Sequence, residues 1–167
     1  IKDRALSIAG RFFYEDRWGG ELQWTPEFRG GDSIYGESIY TRRFEVLGKY
    51  QLPIKEKMIL SLSYTDHDQN SVYGAIAFLA KQRIGFSQLT WDITKQKHDI
   101  LLGTALRYNY YDDNTPATSN LGENKPDEVV IPSVFIQDEI SFSKNHSLLV
   151  GMRYDYDNRH GSIITPR

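Results

Sequence analysis

The chain contains no cysteine, which excludes disulfide staples and thiolate metal centres. It has no uninterrupted apolar run near the ~20 residues that a membrane-crossing helix needs, and its mean hydropathy is negative. A helical membrane protein is thereby excluded. A membrane barrel is not, because its strands are only half apolar. Charge of one sign is missing too: 20 basic against 22 acidic residues leave a net charge of −2, which gives no reason to expect a nucleic-acid partner. Catalytic signatures are also lacking. No H-E-x-x-H, Walker or G-x-S-x-G pattern occurs. His67 and His98 stand beside aspartates, and His146 and His160 stand in expected turns, with no close ligand spacing. An enzyme is not expected.

What the chain does have is tyrosine, 11 in all, and apolar residues that recur every second position. In Ser147–Asp157, Leu148, Val150, Met152, Tyr154 and Tyr156 share one parity, while Leu149, Gly151, Arg153 and Asp155 share the other. A period of two places these sets on opposite faces of a strand. The same alternation marks Ala5–Tyr14, Tyr40–Leu52 (with Val46 on the apolar parity), Met58–Thr65 (Leu60, Leu62), His98–Tyr111 and Ser133–Phe142. Arg43, Glu45, Arg107, Gln137, Glu139 and Arg153 occupy the polar parity. Gln82–Asp92 is less regular, since Leu89 and Trp91 oppose Ile84 and Phe86, and it predicts a bulge or local two-sided burial.

Connections alternate in length. Glu15–Ile39, Asp66–Lys81 and Asp112–Glu128 read as long loops, with one helical turn or a packed segment over Ala75–Ala80. Pro53–Lys57, Ile93–Lys97, Ser143–His146 and Asn158–Gly161 read as short ones. All the long loops then lie at one end of an antiparallel meander of about seven to eight strands. That asymmetry, with an apolar outer face, a polar inner face and tyrosines at strand ends, fits an all-β wall forming part of a transmembrane β-barrel. A soluble ligand-binding β-barrel also alternates, and an autonomous small outer-membrane barrel acting as an adhesin or surface binder is a further reading. On the membrane reading Leu148, Val150, Met152, Leu60, Leu62 and Val46 face lipid. Arg43, Glu45, Arg107, Gln137, Glu139 and Arg153 then face the lumen.

Phe135-Ile136-Gln137-Asp138-Glu139-Ile140, then Leu148 to Asp155 (LLVGMRYD), then Thr165-Pro166-Arg167 resemble a hairpin and its sequel in TonB-dependent outer-membrane receptors. Arg17-Trp18-Gly19-Gly20-Glu21, Tyr35 to Thr41 (YGESIYT) and Gln88 to Asp92 (QLTWD) resemble receptors of Bacteroides-type bacteria, in the cobalamin and iron-complex branch. The resemblance implies a 22-stranded barrel with an N-terminal plug in the outer membrane of a Gram-negative, Bacteroidetes-type cell. Residues 1–167 would be one partial barrel domain, without the plug or the remaining strands. The expected function is import of a scarce large nutrient (cobalamin, an iron–siderophore or haem), energised by the TonB complex through the plug. The implied surroundings are outer-membrane lipid, a large small-molecule substrate and a surface lipoprotein lid.

Two sets of candidate site residues follow. Trp18, Trp24, Arg29, Tyr35 and Tyr73 lie in the expected outer loops, where aromatic faces and guanidinium groups could take a large planar or anionic ligand. The alternative is that these side chains only pack the loops together. Asp66 and Asp68, Asp112 and Asp113, and Asp155 and Asp157 form acidic clusters at the same end. Hard oxygen donors there would suit calcium, and the resemblance adds calcium-ordered outer loops. No cluster has EF-hand spacing, and Asp and Asn favour turns on conformational grounds alone.

Overall fold

The computed structural model describes residues 5–167. Among these residues ten strands occur in chain order: β1 (Leu6–Gly20), β2 (Gly36–Gln51), β3 (Lys57–Tyr73), β4 (Ile76–Lys95), β5 (His98–Asp113), β6 (Ser119–Asn120), β7 (Glu123–Asn124), β8 (Asp127–Ser143), β9 (His146–Asp157) and β10 (Gly161–Pro166). All but β6 and β7 form one antiparallel sheet of eight strands in the order β1-β2-β3-β4-β5-β8-β9-β10. The sheet is therefore an open meander, and β1 and β10 are its edges. The β6–β7 pair is a small hairpin within the β5–β8 connection.

Cross-strand partners share a face, so the register assigns every side chain. Leu148, Val150 and Met152 pair with Ile140, Asp138 and Ile136 of β8. Those lead through Leu102 and Trp91 to Met58, Leu60 and Leu62 of β3, then to Tyr50 and Val46 of β2, and to Ile8 and Leu6 of β1. One apolar face thus runs across all eight strands. The other carries Arg11, Arg43, Glu45, Gln88, Arg107, Gln137, Glu139, Arg153 and Asp155.

The two faces are packed differently. Leu148, Val150 and Met152 are 48%, 43% and 54% exposed. On the other face Glu45, Ser71, Ala105, Ser133 and Asp157 are buried. A water-soluble barrel or sandwich would reverse this, because it must hide its apolar side. An apolar face this wide, left open, requires an apolar solvent or a partner.

The long strands revise several sequence expectations. The segment expected as a loop from Asp66 to Lys81 is a hairpin: β3 and β4 pair without interruption to Tyr73 and Ile76, around the two-residue turn Gly74-Ala75. Gly74 has φ +59, which suits the first central residue of a primed hairpin turn. Ala75–Ala80 accordingly forms the end of that turn and the start of β4, not a helical turn. No bulge occurs in Gln82–Asp92, whose pairing is regular on both sides. Ile84 and Phe86 simply lie on the mainly polar face. The observed irregularity is elsewhere, between Ser141 and Ser143 of β8.

Two long connections remain, residues 21–35 and 114–126, and both lie at the same end of the sheet. The opposite end has only short links, including the two-residue turns Gln96-Lys97 and Lys144-Asn145. One-sided loop length survives although one of the three expected long loops does not.

Candidate functional site

The chemistry concentrates in three places: the loop end of the apolar face, the middle of the polar face, and the ends of β5 and β9.

At the loop end the apolar rows give way to charge. One hydrogen-bonded row carries Tyr14, Arg42, Asp68, Lys81 and Asp112 across β1 to β5. The row beneath it carries Phe12, Phe44, Asp66, Arg83 and Tyr110. Strand alternation puts every one of these side chains on the apolar face. Arg42 is hydrogen-bonded to Asp68, and Arg83 Nε donates to Asp66 Oδ2 at 3.0 Å. The polar composition of Asp66–Lys81 suits a loop and hides the ladder, because opposite charges on neighbouring strands become neighbours only once register is fixed.

Residues 21–35 fold back onto this same face. The Trp24 indole covers Gly36, stacks on Trp18 with ring centroids 5.4 Å apart, and is 4% exposed. Gly36 is required there, since the indole occupies the space of any Cβ. Arg29 Nε donates to Ser38 Oγ at 3.0 Å, and Nη2 donates to Asn70 Oδ1 at 2.6 Å. The Arg29 guanidinium also lies 4.7 Å from the Tyr40 ring centroid. Tyr35 accepts at its backbone O from Glu21 N–H and donates its hydroxyl to Glu37 Oε1 at 2.8 Å. That hydrogen bond to a carboxylate holds the Tyr35 phenol above its ordinary pKa. Of the five proposed ligand contacts, Trp24, Arg29 and Tyr35 are in the loop. Trp18 and Tyr73 end strands β1 and β3 instead. Trp18, Trp24, Arg29 and Tyr35 have protein partners that pin the loop down.

The polar face holds a charge-assisted network. Glu45 pairs with Arg43 at 2.5 Å and with Arg11, the latter through a 2.6 Å hydrogen bond from Nε. Arg153 Nε donates to both oxygens of Asp155, at 2.8 and 2.9 Å, and its Nη2 donates to Ser133 Oγ at 2.8 Å. Arg167 Nη1 donates to Gln137 Oε1 at 3.2 Å. The register also brings Phe135 over Gly103, where the ring fills the room a side chain would take. Leu149, with its parity, lies on this face as an apolar exception.

The ends of β5 and β9 use the same device twice. Asp113 Oδ1 accepts from the N–H and hydroxyl of Thr115, both at 2.8 Å, and from the Thr118 hydroxyl at 2.9 Å. Burial pushes the Asp113 carboxyl up, but these donors, with the Tyr111 hydroxyl, outweigh it and hold the pKa down to about 2. Asn114 then continues the ladder with its side chain: Leu79 N–H donates to Oδ1 at 2.8 Å, and Nδ2 donates to Ala77 O at 2.8 Å. At the end of β9, Asp157 Oδ1 accepts from Arg159 N–H at 2.8 Å. Asn158 accepts from Val130 N–H and donates to Glu128 O, each at 3.0 Å. Aspartate closes the turn, and asparagine mimics one more residue of strand.

The six aspartates expected as loop calcium ligands therefore stand on strands. Asp66, Asp68 and Asp112 are on the apolar face, whereas Asp113, Asp155 and Asp157 are on the other. Asp112 and Asp113, adjacent in sequence, point opposite ways. Among the described residues no three His, Asp or Glu side chains converge as a metal ion requires.

His67, expected in a long connection, is a residue of β3, and His98 opens β5 as expected. His98 Nδ1 lies 2.7 Å from Asp138 Oδ2 on the apolar face, and the other Asp138 oxygen is buried without a partner. Periodicity alone would flag Asp138 as a polar residue on an apolar parity; its partner emerges only from the β5–β8 pairing.

An open antiparallel wall, apolar and exposed on one face, polar and networked on the other, with its long loops at one end, defines a piece of an outer-membrane β-barrel. Comparison with known families narrows this. Residues 3–167 match the family described as TonB dependent receptor-like, beta-barrel, and the chain belongs to that family. Its members are transporters, not enzymes, of the Gram-negative outer membrane, and they work with TonB. No curated protein and no solved structure matches the chain.

Proposed function

We propose that this chain forms roughly a third of a 22-stranded barrel wall in a receptor that imports a scarce, large nutrient: cobalamin, an iron–siderophore or haem. The apolar face meets acyl chains, and the Arg11–Glu45–Arg43 and Arg153–Asp155 networks line the lumen against a plug. The observation that carries this reading is the open sheet. Eight strands suffice for the smallest membrane barrels, yet among the described residues β1 pairs only with β2 and β10 only with β9. Unpaired edges cannot stand in a bilayer, where every backbone group must find its partner within the protein. The wall therefore needs more strands on both sides, which disfavours a self-contained small adhesin. The exposed apolar face likewise disfavours a soluble barrel.

In this reading residues 21–35 and 114–126 stand at the extracellular end and contribute to ligand capture, the first stiffened by Trp24 and Arg29. The test is growth. A strain lacking the full-length gene is supplied with cobalamin, haem or a ferric siderophore as the limiting source. Loss of growth on one of them, restored by the intact gene, is expected. Unchanged growth and uptake on all three would refute the nutrient class.

A further inference from the structure

We propose that the short-turn end of the wall carries a basic rim that docks anionic phospholipid headgroups of the inner leaflet. This rests on the membrane orientation given above, which turns that end towards the periplasm. The connections Pro53–Lys57, Ile93–Lys97 and Ser143–His146 hold five lysines, Lys55, Lys57, Lys95, Lys97 and Lys144, against one carboxylate, Glu56. Lys57 Nζ is paired with Asp92 at 2.6 Å. The other four lysines are exposed, and none forms an ion pair among the described residues. The loop end is not alike. Residues 21–35 carry Glu21, Glu27 and Asp32 against Arg29, and residues 114–126 carry Glu123 against Lys125.

Three features identify the occupant. First, the cations form a row. The β2–β3, β4–β5 and β8–β9 connections follow one another along the sheet, two strand spacings apart, so neighbouring turns stand about 10 Å from each other. That is close to one screening length, and the lysines act together on a charged surface. Second, the row borders hydrocarbon directly. Outward pairs at this end include Ile93 with Ile100 and His98 with Ile140, and Ile54 and Phe142 are exposed near Lys55 and Lys144. No ladder of opposite charges intervenes, as Arg42 with Asp68 does at the loop end. The outward carboxylate of β8, Asp138, is held by His98 at 2.7 Å. Lysine stems can lie along such a boundary with their ammonium groups at the phosphate level. A wall polymer farther into the periplasm would leave Ile54 and Phe142 bare. Third, the charge has one sign. A zwitterionic headgroup brings its own cation, whereas phosphatidylglycerol offers a phosphate alone, and each lysine near an anionic surface strengthens attachment about fivefold.

The experiment uses the full-length receptor purified from outer membranes and reconstituted in nanodiscs of phosphatidylcholine with a minor share of phosphatidylglycerol. The two lipids retained after mild detergent extraction are quantified for wild type, Lys97→Gln, Lys144→Gln, the double variant and the polar-face control Lys49→Gln. Wild type should enrich phosphatidylglycerol, each single variant should lower the enrichment about fivefold and the double variant further, and Lys49→Gln should match wild type. High salt should weaken the enrichment in wild type more than in the double variant. Equal enrichment in all five proteins would overturn the proposal. So would displacement of the lipid by soluble glycerophosphoglycerol, or a double variant that keeps its lipid and loses only retention on purified peptidoglycan. Those results would leave nutrient uptake, measured separately, untouched. Labelling of Lys144→Cys in intact cells by an impermeant maleimide, above the wild-type background, would instead refute the membrane orientation.

Discussion

Leu62 and Ser63 are adjacent on β3 and face opposite ways, so the same substitution at each isolates the solvent on either side of the wall. Leu62 is 49% exposed. Its row neighbours are Gly48 and Ser87, followed by Ile8 and Leu106. No carboxylate stands beside it. Along β3 the outward set runs Met58, Leu60, Leu62, Tyr64 before Asp66 begins the charge ladder, so Leu62 sits well inside the apolar band. In the membrane orientation proposed above an arginine there enters hydrocarbon, at about 2–4 kcal/mol near the midplane. At Ser63 it would join a face that already holds Arg11 and Arg43, at a cost below about 1 kcal/mol. Urea unfolding of the full-length receptor in lipid vesicles measures both. Val150 tests the same reasoning with a twist: its cross-strand partner is Asp138, so Val150→Arg gains a counter-ion and should cost less than Leu62→Arg. Equal costs at Leu62 and Ser63, or a larger cost at Ser63, would refute the face assignment.

Three further outcomes follow from the loop end. Gly36→Ala should evict Trp24 from its cover over Gly36 and cost about 1–3 kcal/mol by overpacking, read as a red shift in tryptophan fluorescence; an unchanged spectrum with unchanged stability would contradict the packing. Asn114→Ala removes two hydrogen bonds to the β4 backbone, about 1–3 kcal/mol in all, and should speed hydrogen exchange at Leu79 N–H while leaving distant strands protected. Asp113 has a folded pKa of about 2, below its ordinary 3.8. A depressed carboxyl stabilises the fold fully above its unfolded pKa and loses that contribution as pH falls through the folded one. Pepsin cleavage within residues 114–126 should therefore rise between about pH 4 and pH 2 in wild type. In Asp113→Asn it should already be elevated at pH 4 and change little over that window.

Much of this was legible in the chain. Alternation at Leu148, Val150, Met152 and at Leu60, Leu62 fixed the two faces before any coordinates, because a strand's side chains have no third direction to take. Loop placement was read less well. Asp66–Lys81 is polar and ends in AIAFLA, a composition that suits a loop, yet its strands keep pairing because each backbone group gains a partner from the opposite arm, which local composition does not express. Of the acidic pairs only Asp112 and Asp113 are split, because consecutive residues of a strand face opposite ways, while Asp66 with Asp68 and Asp155 with Asp157 each share a face.

By itself, the sequence determined the period, hence the class of wall, its apolar and polar sides, and the end at which loops gather. These are local properties, set by the geometry of one residue and the next. Only tertiary structure decided the partners: Arg42 beside Asp68, Arg83 beside Asp66, Lys81 in register between two carboxylates, and Trp24 folded over Gly36. Each depends on register between strands, and register is a sum over whole hairpins that no single stretch carries.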